Sequence, residues 1–281
     1  MSTTEWSGKV VFITGVARGQ GRSHALEFAR RGADIGGLDI CGPIATVPYD
    51  LAVPSDLERT ARDIESLDRR AVLEMADVRD PRAVRAVVDR VLGGFGRIDV
   101  VLTNAGVFSV GDPLTLSAQT WRDVLDVNLD GVWNTVQACL PAMVESGNGG
   151  SIVMTSSIGG LQGLLHCPHY VASKHAVIGL MRALANELAH YRIRVNAVCP
   201  TNVNTAMIQN PANYRTFRPD LAEPQQEDIV DVAASMHLLN VPWVEPEDVT
   251  AAAVWLASNE ARYLTGVALP VDAGLLEKVN N

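Results

Sequence analysis

A tyrosine and a lysine four residues apart, Tyr170 and Lys174, form the pair in this chain best suited to moving a proton. A phenol is a poor base near neutral pH, because its unperturbed pKa is about 10. On a helix, positions i and i+4 share one face. An ammonium at Lys174 can therefore favour the phenolate of Tyr170 and make it a usable proton acceptor. Ser157, thirteen residues before the tyrosine, can hold the oxygen of an alcohol or ketone. A Y-x-x-x-K pair alone more often marks a partly exposed aromatic on a polar helix. A glycine-rich turn near the N-terminus reverses that reading.

The turn runs from Thr14 to Gly21, with glycines at 15, 19 and 21. It follows a continuous apolar run at 9–13, of the kind that forms a buried parallel strand. It precedes a segment, 22–30, with Ala25, Leu26 and Ala29 at helical spacing. Strand, turn and helix together offer free backbone N–H groups and a helix N-terminus to a pyrophosphate. A Cβ at these glycines would block close approach or the backbone angles required. The Lys-Ser/Thr of a P-loop is missing, so a dinucleotide fits better than a nucleoside triphosphate. Asp39 ends the second apolar run, where its carboxylate can accept from both ribose hydroxyls and repel a 2′-phosphate. Ile40 follows, so no guanidinium stands at that position. Arg18 inside the turn points the other way: it can meet a 2′-phosphate, the pyrophosphate or only solvent. NAD is the expected cofactor.

These residues resemble the short-chain dehydrogenase/reductase family over nearly the whole chain. The matches fall in order: the glycine turn, Asp77 with Val78, Asn104 to Gly106, Asn128, Ser157, Tyr170 with Lys174, and Pro200 to Thr205. A narrower set is similar to the carveol-dehydrogenase-like, mycofactocin-associated branch: Gly19 to His24, Leu38 to Cys41, the long segment after it, and Asn202 to Thr205. The resemblance implies an α/β fold, a single-domain doubly wound Rossmann sheet. It assigns catalysis to Asn128, Ser157, Tyr170 and Lys174. The turn residues Gly15, Ala17, Arg18, Gly19, Gln20 and Gly21, with Asp39 and Ile40, would bind the cofactor. Asp77 and Val78 would meet adenine, and Asn104, Ala105 and Gly106 the ribose side. Tyr170 and Lys174 would also touch the nicotinamide half, with Pro200, Val203 and Thr205 holding its end.

Each assignment has a plainer counterpart. Asp77 can cap a turn, Gly106 can simply end a strand, and Asn128 can either hold a water for Lys174 or be a buried amide that stabilises packing. Ser156 reads as a strand-end residue. Two departures stand out: Thr103 replaces the commoner first Asn of Asn-Asn-Ala-Gly, and Thr201-Asn202 replaces a Pro-Gly step. His166 and His169 lack partners at ligand spacing, and no H-E-x-x-H or C-x-x-C occurs, so no metal is expected. Leu161, Leu164, Leu165, Met207, Ile208, Phe217 and Met236 can surround an apolar ligand, and each is equally plausible as core. The branch implies a small hydrophobic secondary alcohol or its ketone, with a carveol-like terpenoid as one candidate. It also implies NAD held tightly and reoxidised by a separate small redox carrier, and a homotetramer. The alternative is a non-catalytic, NAD-sensing binding module, whose active site would usually be eroded; here Ser157, Tyr170 and Lys174 are all present.

The 281 residues are 47% hydrophobic, enough for one sizeable core. A net charge of −9 and no basic run argue against a nucleic-acid partner. The four cysteines, 41, 139, 167 and 199, lack metal-ligand spacing and suit a reducing compartment. Residues 1–6 lack the charge and apolar pattern of a signal peptide, and no apolar run is long enough for a membrane span. A cytoplasmic protein is expected. Apolar runs at 9–14, 33–39, 71–76, 98–103, 150–156, 193–198 and 266–271 read as strands. Helical patterns fall at 20–31, 57–66, 81–94, 118–145, 168–190 and 246–257. Their alternation predicts one domain over 1–281, a parallel sheet covered by helices on both faces. Two inserts interrupt it. The first, about 40–56, carries Pro43, Pro48 and Pro54, with Val47, Tyr49, Leu51 and Val53 to pack inward over the adenosine half of the cofactor. The second, 206–244, would cover the substrate pocket. Both follow C-terminal strand ends, where ligands bind in such sheets.

Overall fold

Seven apolar runs become seven parallel strands of one sheet. They are β1 (Val10–Thr14), β2 (Asp34–Asp39), β3 (Ala71–Met75), β4 (Val100–Thr103), β5 (Gly150–Thr155), β6 (Ile193–Pro200) and β7 (Ala268–Val271). Their spatial order is β3-β2-β1-β4-β5-β6-β7. The computed structural model describes residues 5–279, so the part of the N-terminal reading that concerns residues 1–4 lies outside the described residues. Successive strand side chains face opposite ways, and the central strands are apolar on both sides because both sides are covered. Val10 and Phe12 enter one core, beside Leu38, Val101, Ile152 and Met154. Val11 and Ile13 enter the other, beside Ile35, Val100, Leu102 and Val153.

The helices are α1 (Gly19–Arg30), α2 (Pro54–Glu65), α3 (Pro81–Phe95), α4 (Ala118–Leu125), α5 (Gly131–Ser146), α6 (Pro168–Leu188), α7 (Pro211–Phe217), α8 (Gln226–Ser235) and α9 (Pro246–Ala257). The expected doubly wound parallel sheet is therefore present. Two local expectations need correction. Pro54 opens α2 instead of ending the insert, because proline suits a first helical turn and the Asp56 carboxylate accepts the Val53 N–H at 3.1 Å. The helix expected at 118–145 is two helices separated by a π turn at Asp126–Asp130. The 206–244 insert carries α7 and α8, and its ends are clamped by a parallel bridge between Val203 and Val244.

Helices α1 and α9 are joined by a buried polar cluster. The Thr250 hydroxyl lies 2.7 Å from His24 Nδ1 and 2.8 Å from Ser23 Oγ. Burial lowers the His24 pKa from 6.5 to about 4, because the apolar surroundings disfavour the imidazolium. The unfolded chain takes up this proton below about 6.5, while the folded chain resists until about 4. Stability from this group is thus complete above the unfolded value and is lost as pH falls through the window, by about 3 kcal/mol. Denaturant midpoints should drop between pH 7 and about pH 4.5, and His24→Gln should flatten that drop. An unchanged pH slope in the variant would refute the assignment.

Candidate active site

The cleft opens where β1 and β4 lie side by side and their following connections diverge to opposite faces of the sheet. Thr14 Oγ1 accepts the N–H groups of Asn104 and Ala105 at 3.1 and 3.0 Å. The Asn104 amide donates to the carbonyls of Thr14 and Gly15 at 3.0 and 3.3 Å. Beyond them the chain turns through Gly19, at φ +55°, a conformation side chains other than glycine's rarely take. Gly21 has a different duty: a Cβ there would stand 2.0 Å from the Gly15 carbonyl oxygen. It lets α1 pack onto the turn. Asp39 closes the far wall. Its carboxylate accepts the N–H of Ala17 at 3.0 Å and of Cys41 at 3.3 Å. Burial raises its pKa, and these backbone donors oppose the rise.

A cleft of about 380 Å³ follows, lined by Gly15, Arg18, Gly19, Gln20, Asp39, Ile40, Asp77, Val78, Asn104, Ala105, Gly106 and Thr205. Six residues expected at the cofactor stand outside its lining: Tyr170 and Lys174, described below with the group at Gly106, and four more. Ala17 and Gly21 lie behind the turn, Pro200 offers its carbonyl to the Ser157 hydroxyl at 3.4 Å, and Val203 is buried beneath the bridge to Val244. The shape and chemistry suit a dinucleotide: a glycine turn with a helix N-terminus at one wall, a carboxylate at the other, and a narrow groove between them. Sequence reasoning missed several wall residues, among them Ile44, Ala52, Val107 and Asn204.

The proton-transfer group meets the end of this cleft at Gly106. A Cβ on that residue would lie 3.4 Å from Asn128 Oδ1 and 3.5 Å from Lys174 Nζ. The π turn brings Asn128 fully inward, with no exposed surface. Its Oδ1 accepts the Val107 N–H at 2.8 Å, and its Nδ2 donates to the Val107 carbonyl at 2.9 Å and toward Ser173 Oγ at 3.3 Å. Lys174 Nζ donates to the Thr155 carbonyl at 2.9 Å and sits 5.6 Å from the Tyr170 ring centroid. Burial lowers the Lys174 pKa to about 8. Burial also pushes the Tyr170 phenol up to about 12, against the pull of the neighbouring Ser157 hydroxyl. Burial is the larger influence, so the phenol is neutral at rest. Ser157 Oγ also accepts the Gly159 N–H at 3.1 Å, while Ser156 Oγ donates to the Lys174 carbonyl on the far side of the helix.

The first insert is built into these walls. Ile44 and Ala52 are buried, whereas Val53, expected to pack inward, is half exposed at 50%. Tyr49 lines the cleft, and its Oη accepts the Phe108 N–H at 3.1 Å. The Phe108 ring meets Tyr170 edge-on, with centroids 4.9 Å apart. The Thr46 hydroxyl donates to Asp123 at 2.7 Å, and Arg79 joins Asp123 to both carboxylate oxygens of Asp77. Asp77 also accepts the Arg79 N–H at 2.9 Å, so it shapes its turn as well as lining the cleft. Leu164 approaches the Tyr170 end, while Leu165, expected to line the substrate pocket, points to solvent at 84% exposure. His169 is buried in the first turn of α6 with Nε2 on Ser109 Oγ at 2.9 Å. Among the described residues no group of three or more His, Cys, Asp or Glu could hold a metal ion.

A family model described as Enoyl-(Acyl carrier protein) reductase matches residues 15–276. The (-)-trans-carveol dehydrogenase of Rhodococcus erythropolis is 47% identical over 270 residues, 95% of this chain and 97% of that one. The crystal structure of carveol dehydrogenase from Mycobacterium avium in complex with NAD superposes with a TM-score of 0.96 at 49% identity, covering 98% and 100% of the two chains. A short chain dehydrogenase from Mycobacterium paratuberculosis, bound to NAD, gives a TM-score of 0.89 at 41% identity, with 98% and 100% covered.

Proposed function

The chain belongs to the short-chain dehydrogenase/reductase family, and from that premise we propose that it interconverts a small hydrophobic secondary alcohol and its ketone, with NAD along the cleft. The observation that carries this reading is the junction at Gly106, where a dinucleotide groove ends on Lys174 and Asn128. NAD, when bound, supplies the hydride acceptor for oxidation and the donor for reduction. Tyr170 Oη takes the hydroxyl proton in oxidation and returns it in reduction. Ser157 Oγ holds the same oxygen. Lys174 carries the compensating positive charge at one end of the phenol ring and faces the ribose side of the cleft. Asn128 holds the backbone of Val107 and stands beside Lys174 at Gly106. Asp39 favours NAD over NADP, since a 2′-phosphate beside that carboxylate is repelled.

The substrate class follows from the apolar groups near Tyr170, Phe108 and Leu164, from Met207 on the cleft wall, and from the carveol activity named for the Rhodococcus relative. A carveol-like terpenoid alcohol fits both. Tyr170→Phe should lower turnover by roughly 10²–10⁴-fold while NAD still binds. Oxidation requires the phenolate and reduction the phenol. With Tyr170 at about 12 and Lys174 at about 8, oxidation should rise from about pH 6 toward 8 and flatten above it, while reduction stays level and then declines. Initial rates over an alcohol and ketone panel test this; an oxidation rate that falls as pH rises through that interval would contradict the proton path.

The insert from 40 to 53 serves as a cover for the adenosine half of NAD, supported by its buried Ile44 and Ala52 and by the Thr46–Asp123 bond. A covered cofactor exchanges slowly and is reoxidised in place by a small redox carrier. Purified protein should keep NAD through dialysis, and replacing 42–53 with a short Gly/Ser link should release it; equal dissociation rates would remove the cover. The 206–244 insert forms the substrate-side wall, with Met207 at the cleft. Four free cysteines suit a cytoplasmic setting. Trp121 on α4 and Trp133 on α5 remain 37% and 42% exposed, surface that two-fold pairing of these helices would bury in a tetramer. A solution mass near four chains is expected, and a monomeric mass at micromolar concentration would reject the assembly.

A further inference from the structure

We propose that Tyr49 is a second functional tyrosine of this site: its hydroxyl donates to the oxygen-rich phosphate–ribose linker of bound NAD, and through Phe108 it positions the ring of Tyr170. This inference rests on the dehydrogenase reading above and extends it from the adenosine cover to the reacting end.

A phenol can accept and donate at once. Tyr49 Oη already accepts the Phe108 N–H at 3.1 Å, and among the described residues its own proton has no acceptor. Burial holds this phenol well above its ordinary range, so the proton stays on the oxygen. Tyr49 lines the same cleft as Arg18, in the glycine turn; Phe108, whose N–H it accepts, meets the Tyr170 ring. Tyr49 therefore stands between the pyrophosphate end of the cleft and the proton-transfer group. The part of a dinucleotide spanning that interval carries phosphate and hydroxyl oxygens, which are strong acceptors.

The second half of the inference follows the backbone. Asn128 clamps Val107 through both its N–H and its carbonyl, and Tyr49 takes the next N–H. Residues 107 and 108 are thus fixed from opposite sides of the cleft. The Phe108 ring then meets Tyr170 edge-on at 4.9 Å, a favoured aromatic geometry. Loosening Tyr49 frees Phe108 and widens the range of Tyr170 orientations. Tyr49 is a cofactor-contacting residue in its first role and a positioning residue in its second.

Full-length Tyr49→Phe loses one oxygen and keeps the ring, so packing is preserved. NADH release, followed by the fluorescence of the pre-bound cofactor after mixing with excess NAD⁺, should be about tenfold faster than in wild type. With alcohol substrate, kcat should fall several-fold while KM stays within twofold. Phe108→Leu separates the two roles: release stays near wild type and kcat falls. Ile44→Ala, which thins the insert without touching the hydroxyl, should quicken release less than Tyr49→Phe. Thermal midpoints establish that each variant is folded. A Tyr49→Phe release rate equal to wild type overturns the cofactor contact, and an unchanged kcat in both Tyr49→Phe and Phe108→Leu overturns the positioning role. Release needs no substrate, so a wild-type protein that holds NAD but turns over no alcohol would defeat the dehydrogenase reading separately.

Discussion

The Thr14 hydroxyl, by accepting two successive backbone N–H groups of the 104–105 segment, determines the width of the crevice from which the rest of the site is built. At this point β1 and β4 are neighbours whose chains leave in opposite directions, so neither ladder can continue. The backbone groups freed there still need partners, since unpaired buried donors and acceptors are costly. Thr14 supplies the acceptor, and the Asn104 amide supplies donors to the Thr14 and Gly15 carbonyls. The glycine turn can then rise directly off β1, and Gly21 can lie against the Gly15 carbonyl where any side chain would collide.

Burial of charge is the second constraint. An ammonium has three protons to donate, and Lys174 places one on the Thr155 carbonyl. Its depressed pKa reflects a site that solvates the cation poorly. Under the proposed function, ribose hydroxyls at the Gly106 end of the cleft are the further acceptors, so cofactor binding and the charge on Lys174 support one another. Tyr170 feels the same dry surroundings with the opposite sign: burial disfavours its anion. A site that raises the phenol and lowers the ammonium stores no ion pair at rest. Under the proposed function, reduction develops one as the proton leaves Tyr170, which is where electrostatic stabilisation contributes to rate.

Much of this was legible in the sequence because it rests on short-range patterns. The central strands are apolar on both faces, so most of them read as unbroken runs, and the glycine turn and the Tyr170–Lys174 spacing are local. Other features left weaker marks. The π turn at Asp126–Asp130 inserts one residue into an otherwise helical pattern, too small a phase slip to break the apolar periodicity. Pro54 belongs equally to a proline-rich loop or to a first helical turn, and only the Asp56 contact decides. The partner of Tyr49 is a backbone N–H fifty-nine residues away, and backbone groups carry no sequence signal. Ala17 and Gly21 lie within the binding motif yet stand behind it, since a motif records the needs of the turn's scaffold as well as of its ligand.

The departure at Thr201 finds its explanation in the second insert. Thr201 Oγ1 lies 2.8 Å from His237 Nε2, and His237 Nδ1 lies 3.0 Å from the Ala233 carbonyl. A carbonyl can only accept, so Nδ1 carries the imidazole proton and Nε2 accepts the threonine hydroxyl. Burial lowers the His237 pKa, which favours this neutral form. Neither residue of a Pro-Gly step offers such a hydroxyl. The substitution therefore ties the loop after β6 to the end of α8, while the Val203–Val244 bridge ties the two ends of the same insert together. The first insert is secured by apolar burial and by Thr46 on Asp123. Both inserts are thus fastened to the scaffold, the second through Thr201, His237 and the Val203–Val244 bridge, the first partly through Ile44 and Ala52, which also line the cleft. Under the proposed function, an anchored cover restricts escape of a bound molecule without having to fold around it, and the entropy of ordering those segments is spent during folding instead of at each binding event.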